Sequence, residues 1–383
     1  MEKTKKNKSF SFLTAFFKSD AVRNVKSSLI CILIGVLFGF ILMLALDPEK
    51  AIAGLGTLFT SGFKSADNIN QFITAAIPMM LAGLSISFSF KLGLFNIGIT
   101  GQVALGAFCA ILCGLSGANW FVCLLVGGLA GALGGLIVGI LKAKFNVNEV
   151  LSGIMLNWIF YYVIGMCGNI AVPATFKDRL TKDYLSALPV TARMPSLGFD
   201  SLPNVSWGLI IAIIIIIIVQ IVLNRTTFGF ELKMSGTNKE AAKYAGVNQT
   251  KSIILALTIS GFVAGIAGYM IFATPNDPRK FLWSSNGNSL LSDGFNGISV
   301  SLIAQNSPIG CILSSMLLTY IDTATPDLKT VSDLYNIHYC ELIKSIIIYV
   351  AALSSFISLM LKKLDYKIVE SFNRPQKINK EGK

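Results

Sequence analysis

Charge is scarce in this sequence: of 383 residues only 14% are Asp, Glu, Lys or Arg, against roughly 25% in a soluble globular domain. A single water-soluble core does not fit. Histidine is almost missing, and His338, the lone one, falls in a polar loop, so no chemistry is assigned to it. The seven cysteines (Cys31, Cys109, Cys113, Cys123, Cys167, Cys311, Cys340) have neither C-x-x-C spacing nor companion histidines, which argues against a metal site or a disulfide framework. They read as packing residues. No G-x-x-x-x-G-K-[ST] loop occurs, so the chain cannot cradle nucleotide phosphates by that device.

A further absence lies inside the apolar runs: no Asp, Glu, Lys, Arg or His falls between Ser28 and Leu46, Gln71 and Phe90, Thr100 and Leu141, Val150 and Ile170, or Trp207 and Leu223. Pumps and proton-coupled carriers hold ionisable groups within the bilayer. A proton relay has few candidate members here, and no paired carboxylates or His/Cys cluster line a span as a membrane enzyme would require. What the sequence has is apolar length: 53% of residues are hydrophobic, and the runs suffice to cross about 30 Å of hydrocarbon as helix. The expectation is an all-α polytopic membrane protein. Its formal charge of +12 could suggest nucleic acid, but the Lys and Arg cluster at the chain ends and in short loops, as membrane orientation demands.

Apolar runs give spans near 28–46, 71–90, 100–118, 120–141, 150–170, 206–223, 252–273, 308–321 and 342–361. Nine crossings would set the basic tail opposite the basic N-terminus. A tenth is therefore expected at Leu290–Gln305 as a short or broken helix, which places 22 Lys and Arg inside and 9 outside. The domain reading is a basic cytoplasmic segment 1–27 leading into an uncleaved first span, a transmembrane domain 28–361, and a basic cytoplasmic tail 362–383. Two segments are too polar to cross: 171–205 outside and 224–251 inside. Each reads as a docking surface or a linker.

Four patterns stand out. The junction KLGLFNIGITGQ (Lys91–Gln102) breaks an otherwise apolar stretch, and such a break survives at membrane depth only where protein or a water-filled cavity satisfies it. Asn96 and Gln102 could offer amides to an uncharged polar solute, or the junction is a tight loop without a ligand. Gly93-Leu-Phe95-Asn96 is echoed by Gly294-Phe295-Asn296, as an inverted repeat with paired broken helices would require. Gly127, Gly131, Gly135 and Gly139, with Gly261, Gly265 and Gly268, suit close helix packing, with a sliding contact as the alternative. On the inside loop, Glu240-Ala241-Ala242 precedes Gly246, an Ala-rich helical patch over 238–245 that the glycine would end.

GLFNIGITGQ (Gly93–Gln102), NEVLSGIMLNW (Asn148–Trp158) and GFNGISVSLIAQNSPIG (Gly294–Gly310) together resemble the permease subunits of bacterial ABC importers for nucleosides, within the wider simple-sugar and branched-chain amino-acid permease group. The resemblance implies a non-enzymatic pathway subunit in the bacterial cell membrane that binds no cofactor. It would pair with a second related permease, cytoplasmic ATPases that use ATP, and an extracytoplasmic substrate-binding lipoprotein. It places Asn96, Gln102, Asn157, Phe95 and Asn296 on the path of a small polar solute, with Glu149 at the cytoplasmic entrance. Glu240, Ala241, Ala242 and Gly246 match its coupling helix. Thr100 departs from the pattern, which often has an acid there. The alternative is an ion-coupled secondary carrier for sugars or nucleosides, which would need a coupling-ion site.

Overall fold

Hydrocarbon offers no water to an unpaired N–H or C=O, so a crossing segment must close its own hydrogen bonds. The chain answers with helix. The computed structural model describes residues 20–170, 180–181, 184–185, 188–276, 281–282, 292–335, 337–353, 356 and 360. These form α1 (Asp20–Leu46), α2 (Ala51–Thr60), α3 (Ala66–Phe90), α4 (Ile99–Leu115), α5 (Trp120–Phe145), α6 (Glu149–Ile170), α7 (Gly208–Arg225), α8 (Thr227–Thr237), α9 (Lys239–Tyr244), α10 (Gln249–Phe272), α11 (Ser292–Ile303), α12 (Gly310–Val331) and α13 (Ile337–Ala352). Five of them, α3, α5, α6, α7 and α10, are long and apolar enough to cross a membrane.

The centre of the bundle is a seam without side chains. Helices α5 and α10 run antiparallel with Gly127 against Gly265, Gly131 against Gly261 and Gly135 against Leu257, so a methyl at Gly131 would run into the Gly261 carbonyl oxygen. Backbones touch there, as small residues permit in lipid. Gly106 of α4 closes on the same Gly265, and α3 covers the other side of α10 through Ser85 and Ser260. The glycine pattern thus packs three helices together. Helices α6 and α7 stand at the periphery and turn Met155, Ile159, Tyr162, Ile214, Ile217 and Ile221 outward. At another edge α1 pairs with α13, where Gly35 lies against the Ile347 backbone.

The segment 290–305 carries the short helix expected there, 12 residues over Ser292–Ile303, about 18 Å long at 1.5 Å per residue, too short to span alone. Other expectations are revised. Helix α12 runs on to Val331, ten residues past the expected end at 321, with Pro326 inside it. Helices α2 and α8 were not expected; α2 is an apolar ten-residue piece, shorter than a crossing needs. The all-α reading also gains a small exception, since β1 (Leu180–Thr181), β2 (Tyr184–Leu185) and β3 (Phe281–Leu282) form an antiparallel ribbon in that order. The basic segments 1–19 and 361–383 lie outside the described residues.

The described part of the 171–205 segment is packed against the bundle, with Val190 and Phe199 left exposed. Leu188, Ala192 and Met194 are buried, the Met194 N–H donates to the Ala273 carbonyl at 2.9 Å, and the Tyr269 hydroxyl donates to the Ala192 carbonyl at 2.9 Å. Arg193 ties the segment further by donating to the carbonyls of Leu188 at 2.7 Å and Pro275 at 3.1 Å. It closes over one end of the bundle.

Candidate solute path and coupling surface

Helix α3 ends at Phe90, and the chain turns through Gly93 at φ +74, a left-handed value that glycine adopts without steric cost. It then re-enters the bundle. Asn96 is 0% exposed, and its Nδ2 donates to Ser260 Oγ at 2.8 Å and to Gln102 Oε1 at 2.9 Å. Ser260 Oγ donates in turn to the Ser85 carbonyl at 2.9 Å. From α6, Asn157 Oδ1 accepts the Gly101 N–H at 2.8 Å while its Nδ2 donates to the Ile97 carbonyl at 3.0 Å, so one side chain holds both sides of the turn into α4. Phe95 sets its ring edge-on to Phe90, 5.2 Å between centroids. Protein groups satisfy the break.

A cavity of about 520 Å³ lies at the end covered by the 188–207 segment. Gln71, Thr74 and Pro78 of α3 face it, as do Thr319, Asp322, Thr323 and Pro326 of α12, with Asp293 and Asn296 from α11 and Asn204 from the covering segment. Among the described residues its lining contains two carboxylates, amides and hydroxyls, and no Lys or Arg. Pro78 and Pro326 have no N–H, so the helical bonds to the carbonyls of Thr74 and Asp322, four residues back, are not made. Of the five path residues expected from sequence, Asn296 alone lines this cavity; Asn96, Gln102, Asn157 and Phe95 belong to the break. Ser85, which joins that network, lies seven residues beyond Pro78 along α3, roughly 10 Å deeper. Between the two levels Gly294 rests on Thr100, so that an added Cβ would be 2.5 Å from the Thr100 Cα. The Thr100 hydroxyl is buried and has no hydrogen-bond partner among the described residues.

The other cavity residues escaped the sequence reading, although a signal was present. Gln71, Thr74, Ala75 and Pro78, like Thr319, Asp322, Thr323 and Pro326, recur at i, i+3, i+4 and i+7. That is a polar stripe on one helix face. Asp322 lies one residue beyond the end of the apolar run, where hydropathy gives no signal.

At the opposite end, α9 spans six residues rather than the expected 238–245. Asn238 accepts the Ala241 N–H at 3.1 Å, and Gly246 at φ +82 closes the helix as the sequence suggested, with the Val247 N–H donating to the Ala242 carbonyl at 3.0 Å. Ala242 is 0% exposed within this chain, while Glu240 and Ala241 are exposed and Tyr244 is 92% exposed. The outward face of α9 thus includes Glu240, Ala241, Lys243 and Tyr244. Glu149 opens α6 and pairs with Lys142 at 2.8 Å. Nearby positive charge is dense: burial, and then Lys233, hold the Lys91 ammonium below its ordinary pKa.

A multi-pass helical bundle with a protein-sealed helix break beneath a polar cavity, and a short exposed helix at its far end, defines a membrane transport protein rather than a soluble module. The chain belongs to the family described as branched-chain amino acid transport system / permease component, whose model matches residues 68–359. It is 31% identical to the nucleoside ABC transporter permease protein NupB of Lactococcus lactis, over 90% of this chain and 95% of that one. It is 30% identical to the guanosine ABC transporter permease protein NupP of Bacillus subtilis, over 88% and 96%, and 26% identical to a glucose ABC transporter permease protein of Haloferax volcanii, over 76% and 77%. No solved structure matches.

Proposed function

We propose that this chain is the pathway subunit of an ABC importer for a small uncharged polar solute, a nucleoside, with alternating access driven by separate ATPases. The observation that carries the reading is the cavity of about 520 Å³, within the roughly 300–1,000 Å³ usual for small-molecule sites. Among the described residues its wall is rich in acceptors and holds no Lys or Arg. Ribose hydroxyls and the N–H groups of a base supply the donors such a wall needs, whereas a phosphate would meet Asp293 and Asp322. From the cavity the path continues past the Gly294–Thr100 contact and along Phe95, Asn96, Gln102 and Asn157, which rearrange as the bundle opens. Glu240, Ala241 and Tyr244 face the ATPase, with Ala242 and Gly246 holding their helix in place.

The assembly includes a second, related permease and a substrate-binding lipoprotein. Ten crossings, with α11 as half of a broken one and an inverted relationship between the two halves, leave both termini in the cytoplasm. Lys64→Cys and Lys243→Cys, each in a Cys-less background, test that orientation: an impermeant reagent added to intact cells labels the first alone. Labelling of the second alone would invert it.

Uptake of radiolabelled nucleoside by cells producing the full transporter tests the function. Asp322→Lys, present in normal amounts, should abolish uptake, and loss of the partner ATPase should do the same. Uptake that survives without the ATPase but collapses with the ion gradient would instead identify a secondary carrier.

A further inference from the structure

A second cavity, about 270 Å³, lies at the far end between α8–α9 and the bundle, lined by Ser235 and Lys239 on one side and by Lys142, Gln249 and Thr250 on the other. Ser235 is 3% exposed, and its hydroxyl has no hydrogen-bond partner among the described residues. A buried donor left unmade is costly, so this orphan marks a missing partner. We propose that the cavity is a binding site for a phosphate-class oxyanion.

The charge balance favours that ligand. Lys142 is already compensated by Glu149 at 2.8 Å, whereas no ion pair is seen for Lys239 among the described residues, so the site retains one positive charge. The Ser235 and Thr250 hydroxyls and two ammonium groups surround the space. All can donate to phosphate oxygens, and charge-assisted bonds of this kind are the stronger ones. Gln249 and Thr250 also open α10, a helix of 24 residues, whose N-terminal end carries partial positive charge. Phe145, beside lining residue Asn146, is 69% exposed, as a side chain at a lipid interface would be. The phosphate can therefore come from an anionic phospholipid headgroup or from solution. Either occupant would join the α8–α9 junction to α5 and α10, bracing the short helix from behind. This site does not depend on nucleoside import.

The test uses the purified full-length chain. Native mass spectrometry with phosphatidylglycerol against phosphatidylcholine reads the lipid source, and thermal unfolding with inorganic phosphate against chloride at equal ionic strength reads the free one. Retention of one phosphatidylglycerol, or a rise in unfolding temperature with phosphate, should be weakened about tenfold or more in Ser235→Ala and in Lys239→Gln. Without any phosphate compound, Ser235→Ala should be at least as stable as the parent because the orphan is gone, and it should become the less stable of the two once the ligand is added. A merely structural serine would not give that reversal. Binding of neither ligand, or equally tight binding by parent and both variants, would overturn the site.

Discussion

Asn96 and Ser260, 164 residues apart in sequence, meet at 2.8 Å through a hydrogen bond from the Asn96 amide. That bond fastens the re-entrant turn to α10. Asn96→Leu would leave Ser260 and Gln102 each short of a partner, at about 1–3 kcal/mol per buried group. Both thermal stability and nucleoside uptake should fall. In Asn96→Leu combined with Ser260→Ala the losses should be less than additive, by about 0.5–3 kcal/mol of coupling. Additive losses would show that the two residues act separately.

Gly131→Val should prevent accumulation of folded protein, because even the first carbon of the side chain would strike the Gly261 carbonyl and neighbouring backbone cannot yield as a side chain does. Gly56→Val, where nothing lies within 4 Å, is the matched control. Equal unfolding temperatures for the two would refute the seam.

Gly294→Ala places a methyl 2.5 Å from the Thr100 Cα. Overpacking of that order costs about 1–3 kcal/mol. Because the contact lies between the cavity and the break, uptake normalised to protein in the membrane should drop, while solute affinity of the proposed binding lipoprotein should be unchanged. Normal uptake would remove this contact from the path.

Ala241→Trp and Ala242→Trp should separate coupling from folding. The first substitution projects outward from α9 and should leave the chain folded while uncoupling ATP hydrolysis from uptake. The second enters a site that is 0% exposed and should lower stability before any partner is involved. If Ala241→Trp transports normally, this face of α9 does not transmit force.

The membrane bundle was legible because burial in lipid enforces long apolar runs, and α3, α5, α6, α7 and α10 appear close to where those runs fall. The glycine seam was legible too, since spacing by four residues puts small residues on one face. Helix α2 and the length of α12 were not, because both pack against neighbours far away in sequence: Gly54 of α2 lies against Tyr335, and Tyr320 of α12 lies edge-on to Phe72 of α3, centroids 5.7 Å apart. Helix α8 was not either; it rests through Gly229 on Val222 and Leu223 of α7 and through Gly236 on Lys91 and Leu92. The role of Asn96 was read only halfway. A polar residue in an apolar break signals that a partner exists, yet sequence does not say whether the partner is a solute or, as here, Ser260 and Gln102.

The two prolines in the cavity wall, Pro78 and Pro326, fix something that the side chains around them do not. Each lacks an N–H, so the main chain of α3 and that of α12 each lose one helical bond beside the cavity whatever side chain stands at 74 or 322. Gln71, Asn204, Asn296 and the carboxylates are open to replacement without touching that arrangement. The heritable constant of this wall would then be two missing N–H groups rather than any one side chain.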